Sequence, residues 1–99
     1  MDFNQNKPIY LQIADSICEK ILSGEYLPDE RILSVRELGV SLGVNPNTIA
    51  RVYEHLQGME IIYNKRGIGY FVSPSAPERI LERQREEFLR DELPLVARK

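Results

Sequence analysis

The spacing of apolar and polar positions predicts two amphipathic helices in the first half of the chain. Residues 8–22 carry apolar side chains every three or four positions, and Pro8 suits the first turn of such a helix. The second helix begins at residues 34–37, Ser-Val-Arg-Glu, where a capping serine precedes a glutamate by three positions. It is expected to end near Leu42. The residues predicted to face inward on it are Val35, Leu38 and Leu42.

A third helix is predicted from Asn45 to Gly58. Asn45 is a good N-cap, and Pro46 suits the first helical position. Gly43 can supply the positive φ of a tight turn between the second and third helices. The apolar spacing i, i+3, i+4 and i+7 gives this helix one buried face, formed by Ile49, Val52, Tyr53 and Leu56.

The remaining pattern predicts a β-hairpin followed by a helical tail. Residues 61–63 and 70–72 are strand formers on either side of an Asn-Lys-Arg-Gly-Ile-Gly loop, and residues 31–33 are a candidate third strand. Residues 73–77 form a linker. A helix is then expected from Pro77 or Glu78, with a break or kink near Arg90 caused by Pro94. Its narrow stripe is predicted to run through Leu81, Gln84, Phe88 and Leu95, with Ile80 and Leu89 beside it.

These elements predict a mainly α fold with a small β-hairpin, namely a winged helix-turn-helix followed by a C-terminal helical tail. Residues 1–73 would form the winged helix-turn-helix domain. Residues 74–99 would form the linker and the first part of a helical tail. No cap or turn residues precede Lys99, and whether the chain continues beyond it is left open.

The distribution of charge supports a nucleic-acid partner more than the net charge of −2 does. Residues 1–30 hold six acids and two bases, whereas residues 31–73 hold five bases and three acids. No apolar run approaches the roughly 20 residues of a membrane span, and the N-terminus lacks the apolar core of a secretory signal. Cys18 is the single cysteine and lies among apolar helix positions, so a buried structural thiol in the cytoplasm is expected.

Candidate DNA contacts cluster on the third helix and at the hairpin tip. At 100° per residue, Asn47 and Arg51 lie opposite the buried face, where asparagine can pair with adenine and arginine with guanine. Arg36 can reach a base or a phosphate. The wider set of candidates adds Asn45 and Thr48 on the third helix, and Lys65, Arg66 and Gly67 in the wing.

Each candidate also has an interpretation that needs no DNA. Asn45 is first a helix cap, and Thr48 can simply be solvated. Arg51 can pair with Glu54 or Glu37, and Arg36 with a nearby acid. Lys65 and Arg66 can belong to an exposed turn. For an enzyme the sequence offers little, since it has one histidine, one cysteine, no metal-ligand spacing and no phosphate loop. No enzyme activity and no cofactor are therefore predicted.

Four segments together resemble the GntR family of bacterial transcription regulators, and the LGVNPNT segment with Tyr53 resembles its YtrA subfamily. The segments are PIYLQIADSI, ILSGEYLPDERILSVREL, LGVNPNTIARVYEHLQ and GIGYFV, within residues 7–73. The chain departs from the family in lacking its usual glycine and proline before the second helix. It also has Gly39 in place of the usual alanine, which would cost that helix roughly 0.5–1 kcal/mol.

The resemblance implies a homodimer that binds double-stranded operator DNA, more often as a repressor, with dimerisation through the tail. It places Arg36 at a DNA-contacting arginine, and Asn45, Pro46, Asn47 and Thr48 where the recognition helix meets DNA. Gly67 lies where the wing enters the minor groove. Two alternatives stay open, a winged-helix protein-interaction module and the DNA-binding part of a regulator–enzyme fusion. Whether a small-molecule effector exists is left open.

Overall fold

A computed structural model describes the backbone of residues 7–97 and the side chains of residues 7–89. The predicted order of helix, helix, helix, hairpin and helix is confirmed. The elements are α1 (Ile9–Leu22), α2 (Val35–Leu42), α3 (Pro46–Gly58), β1 (Ile62–Lys65), β2 (Gly69–Val72) and α4 (Ala76–Ala97).

Helix α3 lies at the centre of the fold, because it contacts both α1 and α2 as well as the first strand. Its predicted inner face is confirmed. Ile49, Val52 and Leu56 are fully buried, and full burial of such a side chain contributes about 1.5–3 kcal/mol. Cys18 is buried on α1, and this burial raises the pKa of its thiol to about 11. The thiol is therefore neutral at pH 7, as expected for a structural cysteine.

The hairpin packs one face on α3 and leaves the other accessible. Ile62 pairs with Val72, and both side chains are buried. The third strand predicted at residues 31–33 is reduced to one bridge, between Arg31 and Phe71. The adjoining backbone is tied to β2 by a hydrogen bond that the Ile32 N–H donates to the Tyr70 carbonyl at 3.0 Å.

One prediction about inward-facing residues is wrong. Leu42 is 49% exposed, because α2 is short and its last turn lies at the rim of a groove between α1 and α2. In α4, Ile80 is buried one turn after the buried Ala76, whereas Leu81 and Phe88, on the predicted apolar stripe, are exposed. The α4 side chain that packs inward thus lies beside the predicted stripe. Leu95 lies outside the described side chains.

The ends of α4 also differ from the prediction. The helix begins at Ala76, one residue before Pro77, and it continues through Pro94 to Ala97. The predicted break near Arg90 is therefore wrong. Proline removes one helical hydrogen bond, that of its own missing N–H to residue 90, while residues 95–97 remain helical. No helix within residues 7–97 combines the length and hydrophobicity that crossing a bilayer requires.

Tyr53 connects α3 to the segment that leads into α2. Its ring is 1% exposed, and its hydroxyl donates a hydrogen bond of 2.6 Å to the Leu33 carbonyl. We expect Tyr53→Phe to lower the free energy of unfolding by about 1 kcal/mol, because the carbonyl loses its donor while the ring packing stays. Urea denaturation measures this loss. Tyr63→Phe removes a hydroxyl from an exposed hydrogen bond to Asp29, and as a control it should cost less.

Candidate nucleic-acid interface

The first turn of α2 is held by the predicted capping box. The Ser34 hydroxyl accepts a hydrogen bond from the Glu37 N–H at 3.0 Å, and the Glu37 carboxylate accepts one from the Ser34 N–H at 2.9 Å. The latter bond is the main reason why the pKa of Glu37 is lowered. Arg36, next to Glu37, is exposed. The cap thus fixes the start of the helix and leaves the Arg36 guanidinium accessible to solvent.

The turn between α2 and α3 depends on two glycines. Gly43 has φ +68°, as predicted. Gly39 is buried, and a Cβ added to it would lie 2.9 Å from the Val44 carbonyl oxygen. Glycine at this position therefore does more than loosen α2. It lets the helix pass close to the turn, and it fixes the approach of α2 to the start of α3.

The N-terminal end of α3 has the predicted cap. The Asn45 side-chain oxygen accepts a hydrogen bond of 2.7 Å from the Asn47 N–H, and Pro46 occupies the first helical position. The side-chain oxygen of Asn45 is thus used by the helix cap. The Asn47 side chain is exposed, and Thr48 is half-buried.

Arg51 lies on the exposed side of α3, as predicted, but its partner is an aromatic ring. The central guanidinium carbon is 4.3 Å from the centroid of the Tyr10 ring on α1. Tyr10 in turn packs edge-to-face with His55, one helical turn after Arg51. Among the described side chains, Arg51 forms no ion pair with Glu54 or Glu37. The Tyr10 ring therefore supports a guanidinium that remains exposed.

The wing loop is shorter than the sequence predicted. Lys65 and Gly69 are paired strand residues, so the loop consists of Arg66, Gly67 and Ile68. Gly67 has φ +80°, and the Ile68 N–H donates to the Lys65 carbonyl at 2.8 Å. Lys65 thus lies at the end of β1 and not at the tip. Arg66 is exposed within the loop.

As far as residue 97, the tail leaves the N-terminal end of α3 uncovered. Helix α4 packs against α1, and Arg79 forms an ion pair of 2.9 Å with Glu60, just beyond the C-terminal end of α3. Asn45 and Asn47 lie at the other end of α3 and are exposed.

Two residues near the predicted contacts were not identified from the sequence. Tyr10 reads as one of several apolar positions on α1, and nothing in the spacing connects it to Arg51. The sequence indicates for Arg31 only a place in a candidate strand. In the structure it lies beside Gly69 of the wing, with its Nε 2.8 Å from the position of a Cβ added to that glycine. The pairing of residues 31 and 71 brings Arg31 beside Gly69, and no local sequence pattern indicates that pairing.

Two helices joined by a tight turn, followed by an antiparallel hairpin, define a winged helix-turn-helix protein, a DNA-binding class. A family model described as bacterial regulatory proteins, gntR family, matches residues 9–72. The chain belongs to this family and is a GntR-type DNA-binding transcriptional regulator. Within the family it is most similar to the YtrA subfamily.

Two relatives from Bacillus subtilis align with most of this chain. The uncharacterized HTH-type transcriptional regulator YhcF is 38% identical over 92% of the chain and 74% of YhcF. The HTH-type transcriptional repressor YtrA is 35% identical over 83% of the chain and 63% of YtrA. The aligned part of this chain thus spans about two thirds to three quarters of these relatives.

Solved structures support the same assignment. A GntR-family regulator from Bacteroides thetaiotaomicron superposes with a TM-score of 0.79 at 50% identity, over 92% of this chain and 78% of that one. The DNA-binding domain of AraR in complex with operator ORR3 superposes with a TM-score of 0.64 at 33% identity, over 67% of this chain and 80% of that one.

Proposed function

We propose that this chain is a cytoplasmic repressor that binds a near-palindromic operator as a homodimer. Helix α3 of each copy would enter one of two successive major grooves, about 10 base pairs apart, and the wing would contact the flanking backbone or minor groove. The similarity to the repressor YtrA and to the operator-bound domain of AraR supports this proposal. Whether a small-molecule effector exists is left open.

The observation that carries the proposal is the exposed polar face at the start of α3. Asn47 and Arg51 are exposed on the side of α3 opposite the buried face, and the described part of the tail does not cover them. An asparagine amide can pair bidentately with adenine, and an arginine guanidinium with guanine. We assign base contacts to these two residues, to Thr48 and to Arg36. Asn45 and Pro46 would set the backbone of the helix N-terminus against phosphate.

The dimer is proposed to form through the tail. Leu81, Phe88 and Leu89 on α4 are 55%, 61% and 41% exposed, and burying them against a second tail would release their apolar surface from water. Residues 74–99 are proposed to be the first part of this dimerisation unit, with residues 1–73 as the DNA-binding domain.

Selection of bound duplexes from a random pool tests the proposal most directly. The expected result is a consensus with two inverted half-sites whose centres are about 10 base pairs apart. A single half-site would contradict the homodimer, and a pool that shows no enrichment would contradict sequence-specific binding. The enriched duplex then serves for all measurements below, with a scrambled duplex of equal length as control.

Lys65 is proposed to contact phosphate from the end of β1. We expect Lys65→Ala to weaken binding to the selected and scrambled duplexes equally. It should also lower the slope of log K against log salt by about 0.9 for each bound copy. Lys20→Ala is a matched control, because Lys20 also lies over an aromatic ring, that of Tyr26, but at the end of α1. An unchanged slope in Lys65→Ala would remove Lys65 from the interface.

A further inference from the structure

The outer face of the wing combines two aromatic rings with two cations. Directly paired residues point to the same side of an antiparallel sheet. Tyr63 pairs with Phe71, Lys65 pairs with Gly69, and Arg31 bridges Phe71. The outer wing face therefore consists of Arg31, Tyr63, Lys65, Gly69 and Phe71.

The aromatic rings form the floor of this face. Tyr63 and Phe71 are stacked, with 5.6 Å between their centroids and 20° between their planes. The Lys65 ammonium lies 4.8 Å from the Phe71 centroid. Such a contact with an aromatic face is attractive to a cation and leaves its other side open to an anion. The rings thus hold the Lys65 ammonium at the surface.

Arg31 occupies a place that only a glycine leaves free. Its Nε lies 2.8 Å from where a Cβ on Gly69 would be, so the guanidinium rests against the backbone of β2. Gly69 also has φ +146°, which other residues rarely adopt. The strand therefore provides both the space and the support for the Arg31 side chain.

Arg31 also carries a charge that forms no ion pair within the described part of the chain. Its side chain is exposed, and among the described side chains it forms no ion pair within 4.0 Å. Glu37 is close enough for Arg31 to act on its carboxyl electrostatically, but that carboxylate already accepts the capping hydrogen bond from Ser34. Arg31 thus lies between the first turn of α2, which carries Arg36, and the wing.

We propose that Arg31 is a further DNA-contacting residue, which grips the phosphate backbone between the segment contacted by α2 and the segment contacted by the wing. A planar guanidinium with several N–H donors suits a phosphate group. Gly69 and Phe71 of β2 support the Arg31 side chain, and Lys65 on the same face contacts a neighbouring phosphate. The inference rests on the proposed DNA-binding role and adds to it a contact outside the recognition helix and the wing tip.

Salt-dependent binding of Arg31→Gln and Arg31→Lys tests this inference with the intact chain and the selected duplex. Arg31→Gln should lower the slope of log K against log salt by about 0.9 for each bound copy. Its loss of affinity relative to the wild-type chain should therefore be about 3.5-fold smaller per copy at 200 mM salt than at 50 mM salt. The loss should be equal on the scrambled duplex. Arg31→Lys should retain the slope, since it keeps the charge.

Two controls separate the possible failures. Lys20→Gln removes one positive charge from the end of α1, outside the proposed DNA and dimer contacts, and should leave the slope unchanged. Thermal unfolding of every variant shows whether the wing remains folded. If Arg31→Gln keeps the wild-type slope, or if Arg31→Lys loses as much slope as Arg31→Gln, the phosphate contact is wrong. If the wild-type chain binds no duplex, the proposed function itself fails.

Discussion

Gly39→Val is expected to destabilise the fold by about 2 kcal/mol, because overpacking a close contact costs roughly 1–3 kcal/mol and this outweighs the small gain in helix propensity over glycine. Even the Cβ would lie 2.9 Å from the Val44 carbonyl oxygen and 3.6 Å from the Pro46 Cα. These are backbone atoms of the turn, so they cannot move aside as a side chain can. The two extra methyl groups of valine would force α2 away from the start of α3.

Gly58→Val is the matched control for this substitution. Gly58 is the last residue of α3, and nothing lies within 4 Å of a Cβ added there. Its unfolding free energy should change by about 0.5 kcal/mol or less, as for an exposed site. Denaturation by urea compares the two variants. Equal effects at both glycines would contradict the close approach at Gly39.

Gly39→Val should also weaken operator binding at temperatures where it remains folded. The turn sets the angle between α2 and α3, and the proposed base contacts of α3, Asn47, Thr48 and Arg51, lie within the first two turns of that helix. A variant that is destabilised but binds as tightly as the wild type would show that this turn holds the fold without orienting the recognition helix.

Local sequence signals predicted most of the fold because they act within a few residues. The Ser34–Glu37 capping box, the Asn45 cap and the positive φ of Gly43 each depend on neighbours along the chain. The buried face of α3 follows from helical period alone. These features place the helix-turn-helix without knowledge of any distant contact.

The features that the sequence did not reveal all depend on pairing between distant segments. Packing decides which face of α4 meets α1, and the buried residue there is Ile80, beside the predicted stripe. Strand register shortened the wing loop and moved Lys65 into β1. The positions of Arg31 against Gly69 and of Arg51 over Tyr10 join residues 38 and 41 positions apart, beyond the reach of any periodicity.

Arg51→Ala is expected to lower affinity for the selected operator by about 1–3 kcal/mol and to relax base preference at one position in each half-site. The reason is the loss of a guanidinium that the Tyr10 ring holds at the exposed face of α3. The stability of the free protein should fall by less, about 0.5–1 kcal/mol, because an exposed cation–π contact contributes no more than that. Binding to a panel of single-base variants of the operator measures the first effect, and urea denaturation the second.

Tyr10→Leu separates the two roles of Arg51. This variant removes the aromatic face but keeps the guanidinium, so it should share the stability loss of Arg51→Ala while retaining the base preference. If Arg51→Ala weakens binding to every duplex equally, Arg51 contacts phosphate and not a base. If it changes stability alone, the Tyr10 contact is its whole role, and the base preference must come from Asn47 and Thr48 on α3 and from Arg36 on α2.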